Sequence, residues 1–358
     1  MATYKQLGKS GLKISVPIVC PVPSPSRRSI SSCMSLLKLG AMSFGSSKWL
    51  PYILDQDKGI ELLKEAWDLG INTVDTANAY SNGESERTIA AFLAKYKIPR
   101  NKYIIMSKVW AVVLDDPASP LMATFAPGLG DTQQYVNQGG LSRAAILNAV
   151  DASLARLETS YLDLLQIHAF DPSTPFEETM KALHDVVTSG KARYIGASNL
   201  KAWQFAEMNH VAKLNGWTEF VSIQIEHSLL YRPEELEMLA YCRYKGIGII
   251  PYAPLCTGLL ARPLGVDTER SNQFKGTPWE KKLKDSEKEI IKRVEKIAKD
   301  HNWTMSQVSL AWSLTKVSSP IIGANSPQRL KQNILTDVSL SEEEIKLLEE
   351  PYEYQPPK

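Results

Sequence analysis

The chain has 358 residues, 44% of them hydrophobic and 22% charged, which supplies apolar material for one large core. Lys and Arg number 41 against 39 Asp and Glu, and the formal charge of +2 is too slight for a nucleic-acid footprint. Four cysteines (Cys20, Cys33, Cys242, Cys256) without a CxxC pair, five histidines without ligand spacing and no long apolar run exclude a disulfide scaffold, a metal cage and a membrane span as expectations.

The opening MATYKQLGKSGLKISVP has no apolar leader core, so the cytosol is the expected compartment. From there strand-like runs alternate with helical ones. Strands are predicted at 39–42, 73–75, 103–109, 163–168, 194–198, 221–225, 247–252 and 320–323. Helices are predicted at 57–69, 84–96, 142–157, 176–189, 201–214, 233–245 and 286–301. The first of these gathers Ile60, Leu63, Ala66 and Trp67 on one face. Ser142 reads as an N-cap, and Ser286 with Glu289 as a capping box. Gly70, Gly190 and Gly246 read as helix stops.

Eight such units in a row predict a single (β/α)₈ TIM barrel over residues 1–358. The strands are mostly continuous apolar runs, as sheets covered on both faces require. A doubly wound sheet would need G-x-G-x-x-G after an early strand, and the nearest match, Gly128-Leu-Gly130, lacks its last glycine. Two long segments, 111–140 and 256–285, follow strands and so belong to the C-terminal face, where barrels place their sites.

Four titratable residues fall at neighbouring strand ends: Asp75, Tyr80 in the next loop, Lys108 and His168. Alone, each would pass for a turn former, surface packing, a solvated strand end or a core histidine. Together they form a proton-handling set. A phenol titrates near pH 10, and a neighbouring ammonium favours its ionised form. A carboxylate can balance that ammonium, and an imidazole can polarise a carbonyl oxygen.

On these residues the chain resembles the aldo-keto reductases. D-T-A-x-x-Y at 75–80, S-K at 107–108 and D-L-x-x-x-H at 163–168 match that family's catalytic tetrad. YKQLGKSGLKIS, GAMSFGSSKW and HDVVTSGKARYIGASN are most similar to fungal members of the aryl-alcohol dehydrogenase and versiconal hemiacetal acetate reductase type. The resemblance implies Tyr80 as general acid, Lys108 and Asp75 as its tuning pair, His168 as carbonyl orienter, and NADPH as cofactor. It puts Ser198, Asn199 and Gln224 on the nicotinamide carboxamide, with Tyr252 stacked on its ring. Ser43, Ala253 and Leu255 would also line the cofactor, with Ser43 at the ribose. Gly323, Asn325, Arg329, Gln332 and Asn333 would clamp the far end, Arg329 against the 2′-phosphate and the last two against adenine.

Three places depart from the family pattern: Gly323 for a phosphate-binding lysine, Ala169 for a larger polar residue, and Glu226-His227 after Gln224. Trp49 and Trp110, with Phe125 and Tyr135, suggest an aromatic or apolar carbonyl substrate. The implied partner is that carbonyl compound or its alcohol, with no nucleic acid, membrane or obligate protein partner. A cofactor-binding regulatory subunit and a barrel of different chemistry are the alternatives. Residues 19–38, VCPVPSPSRRSISSCMSLLK, interrupt an otherwise clean first strand and read as a retained intron or a loose excursion from the barrel's N-terminal face.

Overall fold

A computed structural model describes residues 3–16, 38–266, 282–335 and 338–357. Within them eight parallel strands follow one another around a sheet: Lys38–Gly40, Thr73–Asp75, Ile104–Val109, Leu162–Ile167, Ala192–Ser198, Ser222–Gln224, Gly248–Ile249 and Ile321–Ile322. The eighth strand pairs with the first, Ile321 opposite Lys38. Against the seventh it is joined by Ile321 N donating to Pro251 O at 2.8 Å, which completes the circuit. The (β/α)₈ expectation holds. All eight strands lie where the sequence puts them, several shortened. Pro251 has no N–H for the ladder, so the predicted strand 247–252 ends early.

Helices pack outside the strands through one continuous core that includes Leu39, Val74, Ile105, Leu165 and Ile195 from the strands. Side chains alternate along a strand, so the residues between these point into the barrel. Ser142 caps its helix, its hydroxyl accepting from Ala145 N at 3.2 Å. The predicted box at Ser286 is displaced: that helix spans Asp285–His301, and Glu287 accepts from Lys284 N at 3.0 Å. The region 233–245 divides into a 3-10 turn, Pro233–Glu235, and a helix, Met238–Lys245. A helix at Met305–Lys316 escaped the sequence reading because eight of its twelve residues are buried and no polar face marks its period.

An antiparallel hairpin, Thr3–Gln6 with Lys13–Val16, closes the N-terminal end. Its Leu7 and Ile14 pack on Met106, Leu164, Ile250 and Ile321, the inward residues of four strands. Gly8 makes this approach possible: its φ is +60°, and a Cβ there would lie 2.5 Å from Gly246 O and Gly248 N. The expectation for 19–38 falls outside the described residues except at its last member, Lys38, as do Cys20 and Cys33. Residues 267–281 of the second long segment also lie outside them.

Candidate active site

The motif at 75–86 is a reversal built to carry Tyr80. Asp75 ends its strand, and then Ser81, Asn82 and Gly83 run left-handed in succession, with φ of +50°, +49° and +92°. This turns the chain sharply into the helix Glu84–Lys95 and leaves Tyr80 over the barrel mouth. Asn82 Nδ2 donates to Ser119 O at 3.0 Å, tying the long 111–140 segment to the reversal. Glu86, fully buried, accepts from Ser107 Oγ at 2.6 Å and from Arg156 Nε at 2.7 Å, which braces the strand carrying Lys108.

Lys108 Nζ is the centre of the arrangement. It lies 2.5 Å from Asp75 Oδ2, 2.9 Å from Thr76 O and 3.3 Å from the Tyr80 hydroxyl. The ion pair is buried, so each charge depends on the other. Burial opposes the Lys108 charge, but Asp75 and Tyr80 outweigh it and hold the ammonium above its ordinary value. The expectation that Lys108 lowers the Tyr80 pKa is corrected in its net sign. Burial of the ring raises it, and the Lys108 charge opposes that only in part. His168 sets its ring edge-on to Tyr80 at 5.7 Å between centroids. Burial, with the Lys108 charge, pushes its pKa down to about 3, so the imidazole is neutral at working pH.

Two glutamines complete the floor. Gln166 Nε2 and Gln224 Nε2 donate to Asp75 Oδ1 at 3.1 and 2.9 Å, and Gln224 also reaches Gln166 Oε1 at 3.2 Å. Gln166 was not singled out in the sequence. Its signal was position: two residues before His168, it shares the inward face. Asp163, in contrast, is a brace, accepting from Arg100 at 2.7 Å and from Ile105 N at 2.9 Å.

Above this floor opens a cavity of ≈ 870 Å³. Tyr80, His168 and Asp75 line it, and Lys108 is sealed beneath. Every other residue expected at the cofactor lines the same cavity: Ser43, Ser198, Asn199, Gln224, Tyr252, Ala253, Leu255, Gly323, Asn325, Arg329, Gln332 and Asn333. Trp49, Trp110 and Phe125 line it too, but Tyr135 does not. Asn199, left-handed at φ +56°, donates to His168 O at 3.0 Å and accepts from the Tyr252 hydroxyl at 2.9 Å. Ser198 lines the cavity, and its buried Oγ has no hydrogen-bond partner among the described residues. The helix Pro327–Gln332 is only six residues long, and its cap Ser326 accepts from Arg329 N at 3.3 Å. The exposed Arg329 guanidinium donates to Asn325 Oδ1 at 2.9 Å.

Of the departures, Gly323 and Ala169 line the cavity, and a Cβ on Gly323 would lie 3.6 Å from Ser43 Oγ. Glu226-His227 follows Gln224 in the chain but stands apart from the cavity: neither residue lines it. His227 turns into the fold, with Nε2 2.8 Å from Glu235 Oε1 and its ring stacked on Trp312. No metal cluster occurs among the described residues, and none of their helices is long and apolar enough to cross a membrane.

Comparison with known proteins agrees with this geometry. The model of the aldo/keto reductase family matches residues 36–353. An aldo-keto reductase of Fusarium vanettenii is 46% identical over 99% of this chain and 92% of its own. The versiconal hemiacetal acetate reductase of Aspergillus parasiticus is 42% identical over 98% and 96%. A putative aryl-alcohol dehydrogenase of Saccharomyces cerevisiae is 42% identical over 99% of both chains. Members of the family are oxidoreductases that act on carbonyl compounds. With the matched model spanning the barrel and the relatives spanning nearly the whole chain, this protein belongs to the aldo/keto reductase family.

Proposed function

We propose that the protein reduces an aldehyde or ketone, aromatic or of secondary metabolism, to its alcohol with NADPH, Tyr80 serving as general acid. One observation carries the reading: Lys108 Nζ bridges Asp75 and the Tyr80 hydroxyl beneath a cavity that His168 also lines. The residues suit a dinucleotide. Ser198 Oγ, buried and unpartnered among the described residues, can donate to or accept from a carboxamide. When bound, NADPH supplies the hydride.

The chain's own part is proton and charge management. The Tyr80 hydroxyl and the neutral His168 ring take a carbonyl oxygen between them by hydrogen bonds. As negative charge builds there, Tyr80 Oη releases its proton to that oxygen. The phenolate left behind faces the Lys108 ammonium, and Asp75 with its two glutamines keeps that ammonium in place. Arg329, on the exposed rim, offers a planar fork for the 2′-phosphate, which supports NADPH over NADH. Trp49, Trp110 and Phe125 support an aromatic substrate.

The test is NADPH consumption by the purified chain with a panel of aromatic aldehydes, followed by absorbance. Loss of NADPH matched mole for mole by alcohol supports the reading. Tight NADPH binding without turnover on any member would favour a cofactor-binding regulatory subunit instead.

A further inference from the structure

Tyr80 stands between two buried asparagines, Asn78 and Asn82, and neither of them lines the cavity. Both turn to the long segment that follows the third strand. Asn78 Nδ2 donates to Ala111 O at 3.1 Å. Asn82 Nδ2 donates to Ser119 O at 3.0 Å and to Asp116 O at 3.4 Å, and its Oδ1 accepts from Leu114 N at 3.4 Å. Between Val109 and Leu121 the chain forms neither helix nor strand, so its course depends on side-chain contacts such as these. The pinned stretch adjoins the cavity wall at both ends: Ala111 lines the cavity, and so do Leu121 and Phe125 just beyond Ser119. Residue type suits the task at 82. Asparagine tolerates the left-handed φ of +49° found there, and its amide supplies the donors and the acceptor that the three contacts use.

We propose that Asn78 and Asn82 are positioning residues that fix the 111–125 wall relative to the Tyr80 hydroxyl, and so set how well an aromatic carbonyl compound is distinguished from a small aliphatic one. A small aldehyde held by Tyr80 and His168 has little surface to bury against a wall. A bicyclic aromatic ring has much more, so a displaced wall costs it more binding. Displacement of Tyr80 itself would instead slow both compounds alike. The inference rests on the carbonyl-reductase reading.

The experiment compares wild type with Asn82→Gly and Asn78→Ala. Glycine keeps a residue suited to the left-handed backbone while deleting all three contacts. Steady-state kcat and KM are measured with 2-naphthaldehyde and with propanal, NADPH affinity by fluorescence, and amide hydrogen exchange across 111–125. In Asn82→Gly exchange there should quicken, with cofactor affinity unchanged. The ratio of kcat/KM for naphthaldehyde to that for propanal should fall about three- to ten-fold, chiefly through KM for naphthaldehyde. Asn78→Ala should move the ratio the same way by less. Should the glycine variant fail to fold, Asn82→Asp keeps the shape and the Leu114 contact, loses both donors, and should lower the same ratio. Equal losses of kcat on both aldehydes, faster exchange with an unchanged ratio, or unchanged exchange would each overturn the proposal. If wild type reduced no aldehyde, the reductase reading would fall instead. Calorimetric affinity for 2-naphthaldehyde would then decide the wall alone, which stands only if Asn82→Gly weakens it.

Discussion

The Tyr80 ring is held by burial and by the edge of His168, so Tyr80→Phe removes the hydroxyl and little else. Turnover should fall ~10²–10⁴-fold with NADPH affinity within a few-fold of normal, read by cofactor fluorescence. Near-normal turnover with chemistry rate-limiting would remove Tyr80 from the acid role. His168 adds no acid limb: with its pKa pushed down to about 3, kcat/KM should show no histidine inflection between about pH 5 and 8. Arg329→Ala should weaken NADPH by about 1.5–3 kcal/mol, roughly ten-fold and upward, and barely touch NADH. Equal weakening of both cofactors would place Arg329 away from the 2′-phosphate. The tetrad was legible in the sequence because its spacing puts four titratable groups on adjacent strand ends. The pair of glutamines on Asp75 was half-legible: Gln224 came through resemblance, whereas Gln166 sits in an apolar run where a polar residue looks incidental. The sign of the Tyr80 shift was not legible, since composition says nothing of how deeply a ring is buried.

Among elements, the first barrel strand, Lys38–Gly40, is the anomalous one. Gly40 lines the cavity, so Lys38, two residues before it, points into the barrel. It is fully buried, and among the described residues Nζ has no hydrogen-bond partner. Burial pushes its pKa down to about 7, against the pull of Asp75. The unfolded chain, titrating near 10.5, therefore binds more protons than the folded one between these values, and stability rises with pH across that window. The gain should be on the order of 1 kcal/mol per pH unit. Lys38→Met should remove this slope and stabilise the protein most near pH 7, as urea titrations at pH 7 and 9 would show. A variant as pH-dependent as wild type would mean that Lys38 is paired. Deleting 19–38 would join Ile18 to Leu39 and set an apolar residue in the same place, so it too should raise stability, and a deletion that fails to fold would count against the retained-intron reading. The other strands were readable as apolar runs between turn signals. The helix Met305–Lys316 was not, because burial on nearly every side erased its period.

For the molecule as a whole, the hairpin is the stopper of the barrel. Gly8→Ala would force a side chain into left-handed backbone 2.5 Å from two backbone atoms. It should cost on the order of 1–3 kcal/mol, seen as a lower Tm, with kcat/KM of the folded enzyme unchanged because the site is at the other end. A loss of activity at full stability would show that the plug also shapes the site. That the chain closes into a barrel was legible from eight alternating units. That residues 3–16 seal one end was not, since the contacts of Leu7 and Ile14 are with strands far along the chain. The seal has a consequence for traffic. With the N-terminal end filled, the described residues leave the C-terminal face as the way in, and the groups suited to the carboxamide, Ser198 and Gln224, lie at the bottom, while Phe125 and Arg329 stand exposed at the rim. On the reading proposed above, a cofactor seated at Ser198 and Gln224 should enter that doorway before the carbonyl compound and leave after it.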